Sequence, residues 1–213
     1  MNTKIKPLSL RDSGLSEKNY QLLKKLYSPQ KNQDYLDSLR FNFEKEVETS
    51  TSVSVTLDTK VAHCFEGALV AAAAFWINGH KPLLLDLRAT AEDLDHVVTL
   101  FNIDGFWGSI SKTNHGVLGY REPVYKSVRE LVMSYFHEYF LFNGKKTLRS
   151  YSEPFDLSKQ KINWLTSPKN LFDLTRVLDK SPHTNILSKK QIKNLRLAQP
   201  TEIKMGEITD WKS

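Results

Sequence analysis

Residues 67–77 read GALVAAAAFWI and contain no charged side chain. Phe65, Ala68, Leu69, Ala72, Phe75 and Trp76 recur at i, i+3 and i+4, the helical period, and no polar stripe divides them. A helix that is apolar on every side has no face to give to water, so the rest of the chain must enclose it. Asn78-Gly79 ends the run, because glycine readily takes the left-handed conformation just past a helix C-terminus. The run is too short to cross a bilayer, which takes about 20 apolar residues.

The flanking segments supply candidates for that enclosure. Residues 17–28 and 32–43 carry apolar side chains at helical spacing, separated by Ser28-Pro29, which predicts two amphipathic helices. The Ser/Thr/Val-rich segment TSTSVSVTLD, 49–58, is expected as a strand or an extended lead-in. After the apolar helix, HKPLLLDLRA and DHVVTLFNIDGFWGSISKTN read as short strands. The second run folds back at Asp104-Gly105, a hairpin signal. REPVYKSVRELVMSYFHEYF, 121–140, is expected as one helix beginning at Pro123 and packing on the sheet. The order predicts an α+β fold with a small antiparallel sheet in a single domain, 1–213. Residues 1–144 are expected to hold the core. Residues 145–213 are expected as a basic, mainly helical extension, dispensable for the fold of 1–140.

The chain of 213 residues carries a formal charge of +6. Residues 1–140 hold 16 basic and 17 acidic side chains, residues 141–213 hold 14 and 7, so all of the excess lies in the second part. That asymmetry is read first as a solvated basic face and second as a nucleic-acid site. The N-terminus has no apolar stretch of signal-peptide type, and no membrane association is expected, so the expectation is cytoplasmic. One cysteine allows no internal disulfide and is too few for a thiolate metal site. No Gly-rich phosphate loop and no G-x-S-x-G occurs, which removes two large enzyme classes from consideration.

That one cysteine, Cys64, stands at the head of the apolar helix. It is either a small core side chain or a nucleophile. Unpaired N–H groups at a helix N-terminus favour thiolate, and an activated cysteine also needs an imidazole and a third group to hold that imidazole's tautomer. His96 opens the strand HVVTLFNIDG and is the candidate base. His63, beside Cys64, invites a metal reading that lacks any second ligand at i, i+4.

Cysteine, buried helix, Gly-ended turn and strand, followed by His at the head of a hairpin and then DGFWGSISKTN, resembles the transglutaminase-like, papain-type cysteine enzymes over about residues 58–115. The segment SKTNHGVLGYREPVYKSVRELVMSYFHEY is similar to a bacterial branch of that superfamily. The resemblance implies a Cys-bearing helix packed on an antiparallel sheet, Cys64 as nucleophile, His96 as general base, and no cofactor or metal. The position where the family carries its acid is Ser111 here. Asn114 and Asp86 are the other candidates for the third member.

These readings lead to a cysteine-dependent acyl transfer on a peptide or protein amide or a thioester, by a peptidase, amidase or transglutaminase-like enzyme. The alternatives are a binding module that keeps the fold without the reaction, and a nucleic-acid-binding protein using the basic region. The residues fix neither the substrate nor the oligomeric state.

Overall fold

The computed structural model describes residues 4–43 and 48–209. Its first helices are α1 (Leu10–Ser13), α2 (Glu17–Lys25) and α3 (Pro29–Ser38). Ser9, Ser16 and Ser28 cap them by accepting backbone N–H groups of Asp12, Asn19 and Lys31. The Ser28-Pro29 break is thus the start of α3, with proline at the first position, where its missing N–H costs nothing.

Next come β1 (Arg40–Phe41), α4 (Val53–Thr59), β2 (Val61–Ala62), which pairs in parallel with β1, and the apolar helix α5 (Cys64–Ile77). The segment expected as strand or extended chain forms α4 instead. Val53, Thr56 and Leu57 are buried at i, i+3 and i+4, so packing against α5 outweighs the weak β preference of Val and Thr.

The main sheet contains β3 (Leu83–Arg88), β4 (His96–Ile103), β5 (Phe106–Ile110) and β6 (Arg121–Tyr125). The β4–β5 turn is the expected Asp104-Gly105 hairpin, with φ of 52° and 90°, both in the left-handed region. Residues 121–125 are a strand rather than the first turn of a helix, and α6 (Val128–Phe136) begins after the cap Ser127. The strand order β6-β5-β4-β3 makes β6 an edge, where the missing N–H of Pro123 interrupts no ladder.

The region beyond Gly144 differs most from expectation. It supplies β7 (Ser150–Ser152), β8 (Phe155–Asp156), α7 (Phe172–Asp179), β9 (His183–Asn185), α8 (Lys189–Lys193) and α9 (Pro200–Gly206). β7 pairs with β3 and then with β9, while β8 takes the other end of β3, so the sheet runs β6-β5-β4-β3-β7-β9. These strands are two or three residues long and polar, which is why they carry no sequence signature.

α5 lies on one sheet face, enclosed by α2, α3 and α4, and α6 lies on the other. Every residue from Ala68 to Ala74 is fully buried. The small alanine side chains allow close approach on all sides, and Thr99 on β4 donates its hydroxyl to Ala68 O at 2.7 Å. The enclosure is completed by Leu157, Trp164, Leu171, Leu174 and Leu178, with the Trp76 and Trp164 rings stacked at 6.0 Å. Among the described residues no helix is long and apolar enough to cross a membrane.

Truncation after Gly144 therefore removes three strands and part of the wall around α5. Residues 1–144 are expected to lose cooperative thermal unfolding, read by circular dichroism; a sigmoidal transition in that fragment would show the upstream core to be self-sufficient.

Candidate active site

Cys64 is the first residue of α5, and the cap before it is His63. The Nδ1 atom of His63 accepts the Phe65 N–H at 3.2 Å, and its Nε2–H is donated to Thr49 O at 3.1 Å. Glu66 closes the cap, with Oε2 accepting the His63 N–H at 3.1 Å. Its other oxygen takes the Thr51 N–H and hydroxyl, both at 2.9 Å, and the Thr49 hydroxyl at 3.2 Å. A carboxylate only 1% exposed is thus met by four donors, and the segment 49–51 is fastened beside the helix N-terminus.

The half-buried Cys64 thiol lines one cleft together with His63 and His96. Burial pushes the thiol up, but hydrogen bonds and charge from His63 and His96 outweigh it and bring the thiol down to about 5. Burial likewise pushes His63 down. The hydrogen bond to Cys64, the charges of Cys64 and Glu66 and the carbonyl of Thr49 raise it to about 9.

His96, the first residue of β4, has Nε2 at 2.7 Å from Ser111 Oγ. Ser111 donates its own hydroxyl to Leu118 O at 2.9 Å, so it meets His96 as an acceptor. That fixes the tautomer with the proton on Nε2 and makes Nδ1 the ring's acceptor nitrogen. Gln33 of α3 holds Ser111 in place, accepting its N–H at 3.0 Å and donating to its carbonyl at 2.8 Å. The next residue, Lys112, is buried and donates Nζ to Leu36 O and Leu39 O at 2.8 and 2.6 Å, the carbonyl end of α3. Its stem crosses α5 so closely that a Cβ on Gly67 would lie 2.4 Å from Lys112 Cβ.

His96 and Ser111 are therefore hydrogen-bonded, and Cys64 shares the cleft with His96. Asp86 does not join them: on β3 it lies opposite Val97, and its Oδ2 is 3.0 Å from Nε2 of His183. Burial raises the Asp86 carboxyl above the usual carboxylate range despite that contact. Asn114 lines the same cleft without a hydrogen bond to His96. The cleft has a volume of about 660 Å³ and is lined by Cys64, His63 and His96, by the aromatic rings of Phe41, Tyr139 and Phe172, and by several carboxylates. Leu94 and Phe142, 83% and 75% exposed, give its rim an apolar character.

Gln33, Glu66 and Lys112 were not among the candidates read from sequence, and His63 was weighed there only as a metal ligand. His63-x-x-Glu66 ahead of an apolar run has the spacing of a capping box, a legible signal obscured by the rarity of histidine at that position. Gln33 and Lys112 carried no signal, because their partners are more than 70 residues away.

The double role of Ser111 dictates what replaces it. Ser111→Ala leaves a buried His96 N–H and the Leu118 carbonyl without their partner, a loss of about 1–3 kcal/mol of stability, measured by denaturant unfolding. Ser111→Asp brings a carboxylate against the Leu118 carbonyl, which a serine hydroxyl satisfies by donating. We expect this variant to be destabilised as well, despite adding a charge beside His96. A gain in melting temperature for either variant would contradict the relay geometry.

No protein-family model matches the chain, and no curated protein matches it in sequence.

Proposed function

We propose that the protein is a cysteine-dependent acyl-transfer enzyme of transglutaminase-like type, acting on an amide or thioester carbonyl. The observation that carries this reading is a thiol at a helix N-terminus, open to a cleft that His63 and His96 also line; hydrogen bonds and charge from the two imidazoles bring that thiol down to about 5. The thiolate of Cys64 attacks the carbonyl carbon, an imidazolium protonates the leaving amine or thiol, and water or an amine resolves the acyl-enzyme. His96 is the acid-base group, oriented by Ser111 Oγ. The resemblance of residues 58–115 to that family supports the same assignment.

The substrate class is a peptide or protein amide, with the exposed Leu94 and Phe142 at the rim of the cleft as its apolar contact. Glu48, Asp86, Asp93, Asp95, Glu138 and Asp179 line the cleft, an arrangement that repels a polyanion and argues against nucleic acid as the ligand of this site. The uncharged Ser111 keeps the binding-module reading as the second one.

An activated acyl ester or thioester serves as the test, with the acyl adduct on Cys64 followed by mass spectrometry. There is no second thiol to confuse the readout. The acylation rate should rise with pH through about 5, following the thiolate, and level off above it. His96→Ala should slow it by roughly 10²–10⁴-fold. Equal acylation in wild type and His96→Ala would favour the binding module.

A further inference from the structure

We propose that α9 is a releasable strap across part of the cleft, and that ligands too bulky for the closed cleft reach Cys64 only when the strap lets go. The proposal stands on the path of the chain and is independent of the acyl-transfer reading. Ile203 and Gly206, both on α9, line the same cleft as Cys64.

The chain enters α9 from a fixed point beside one wall of the cleft. Ala198 is buried and donates its N–H to Gly144 O at 2.8 Å. Gly144, with φ of 80°, lets the Ala198 carbonyl come within 3.0 Å of where a Cβ would stand. Gly206 then passes against Phe140, whose ring carbons would lie 3.1 Å from a Cβ on that glycine. Phe140, Leu141 and Phe142 belong to this wall. The far end of the strap is tied to a second wall segment, residues 113–118. His115 donates its Nδ1–H to Gly206 O at 3.2 Å, Gly116 donates its N–H to Ile208 O at 3.1 Å, and Thr209 pairs with His115 in an antiparallel bridge. One short helix thus joins two walls of the cleft.

What holds the strap is slight. From Gln199 to Thr209 no residue is buried, whereas every residue of α5 from Ala68 to Ala74 is fully enclosed. Met205 and Ile208 are 54% and 66% exposed. Lifting α9 exchanges its bonds to His115 and Gly116 for bonds to water and uncovers little apolar surface, and segments with few buried contacts are the ones that open first in a folded chain. Glu202 accepts the Gln199 N–H at 2.6 Å, so the helix keeps its own cap as it moves. The hinge falls between Ala198, the last buried residue, and Gln199.

The test compares two maleimides, N-ethylmaleimide and a maleimide joined to a bulky dye, on the intact chain, whose one thiol is Cys64. The ratio of their rates reads access, because a change in the thiolate fraction affects both alike. Gly206→Val sets a branched side chain against Phe140 and should unseat the strap. We expect the dye to gain about tenfold on N-ethylmaleimide as the open form passes from a minor to a major state. Met205→Ser, at an exposed position of the same helix, should leave the ratio unchanged. An unmoved ratio in Gly206→Val, an equal rise in Met205→Ser, or a wild type that takes up the dye as fast as N-ethylmaleimide would overturn the proposal. Should Gly206→Val fail to fold, amide hydrogen exchange of the wild type decides. The Gly116 N–H, bonded to Ile208 O, should exchange far faster than the Leu100 N–H in the centre of the sheet, and equal protection of the two overturns the strap. A failure to form any acyl adduct on Cys64 would sink the enzymatic reading alone and leave the strap intact.

Discussion

Burial of α5 on every side is the constraint on which the rest of the molecule depends. An apolar surface of this kind is stabilised by roughly 25 cal/mol for each Å² removed from water, and only full enclosure collects that gain around the whole circumference. Hence three helices lie on one side of α5 and a sheet on the other, and late segments close the remaining gap. The flanks of α5 are sealed by side chains, so its N-terminal end is the part that opens on the cleft, and Cys64 is the first residue there.

The approach to that end is set by close contacts rather than by loops. Gly67 is required because the Lys112 stem passes where a Cβ would be, and the Lys112 ammonium then finds the carbonyls ending α3. Gln33 on the same helix clamps the backbone of Ser111 on both sides. A short helix near the start of the chain thereby sets the height at which the end of β5 meets His96. The imidazole is placed by β4, and the hydroxyl it meets is held by α3 through Gln33 and by Leu118 O of the segment after β5.

The legible parts of the fold were those with strong local signals. The period of α5, the spacing of α2 and the Asp-Gly hairpin are properties of a few adjacent residues, and they appear where sequence predicts them, whereas the second amphipathic helix spans Pro29–Ser38 rather than 32–43, because proline starts it and Arg40–Phe41 leaves it to pair as a strand. Where tertiary context decides, sequence misleads. Val53 and Leu57 form a helix because α5 covers them, and Pro123 sits in a strand because that strand is an edge. The polar tripeptides of β7 and β9 pair because β3 offers them a partner. In the candidate site, Cys64 and His96 stood out at helix and hairpin heads, whereas Ser111 came only from the family resemblance. Asp86 is drawn to His183, a residue 97 positions later that no local pattern connects to it.

The wall that closes over α5 late in the sequence has a consequence for synthesis. Cys64, His96 and Ser111 all precede residue 144, yet the segment presenting Thr49 O to His63 is itself tied down later. Leu171 N–H bonds Ser50 O at 2.7 Å, Asn170 accepts the Ser50 N–H at 3.1 Å, and Trp164 O accepts the Val53 N–H at 3.2 Å. A chain emerging from the ribosome therefore carries its thiol for about a hundred residues before the cap residue beside it is seated. The N-terminal end of α5 is therefore completed only by residues of the last third of the chain.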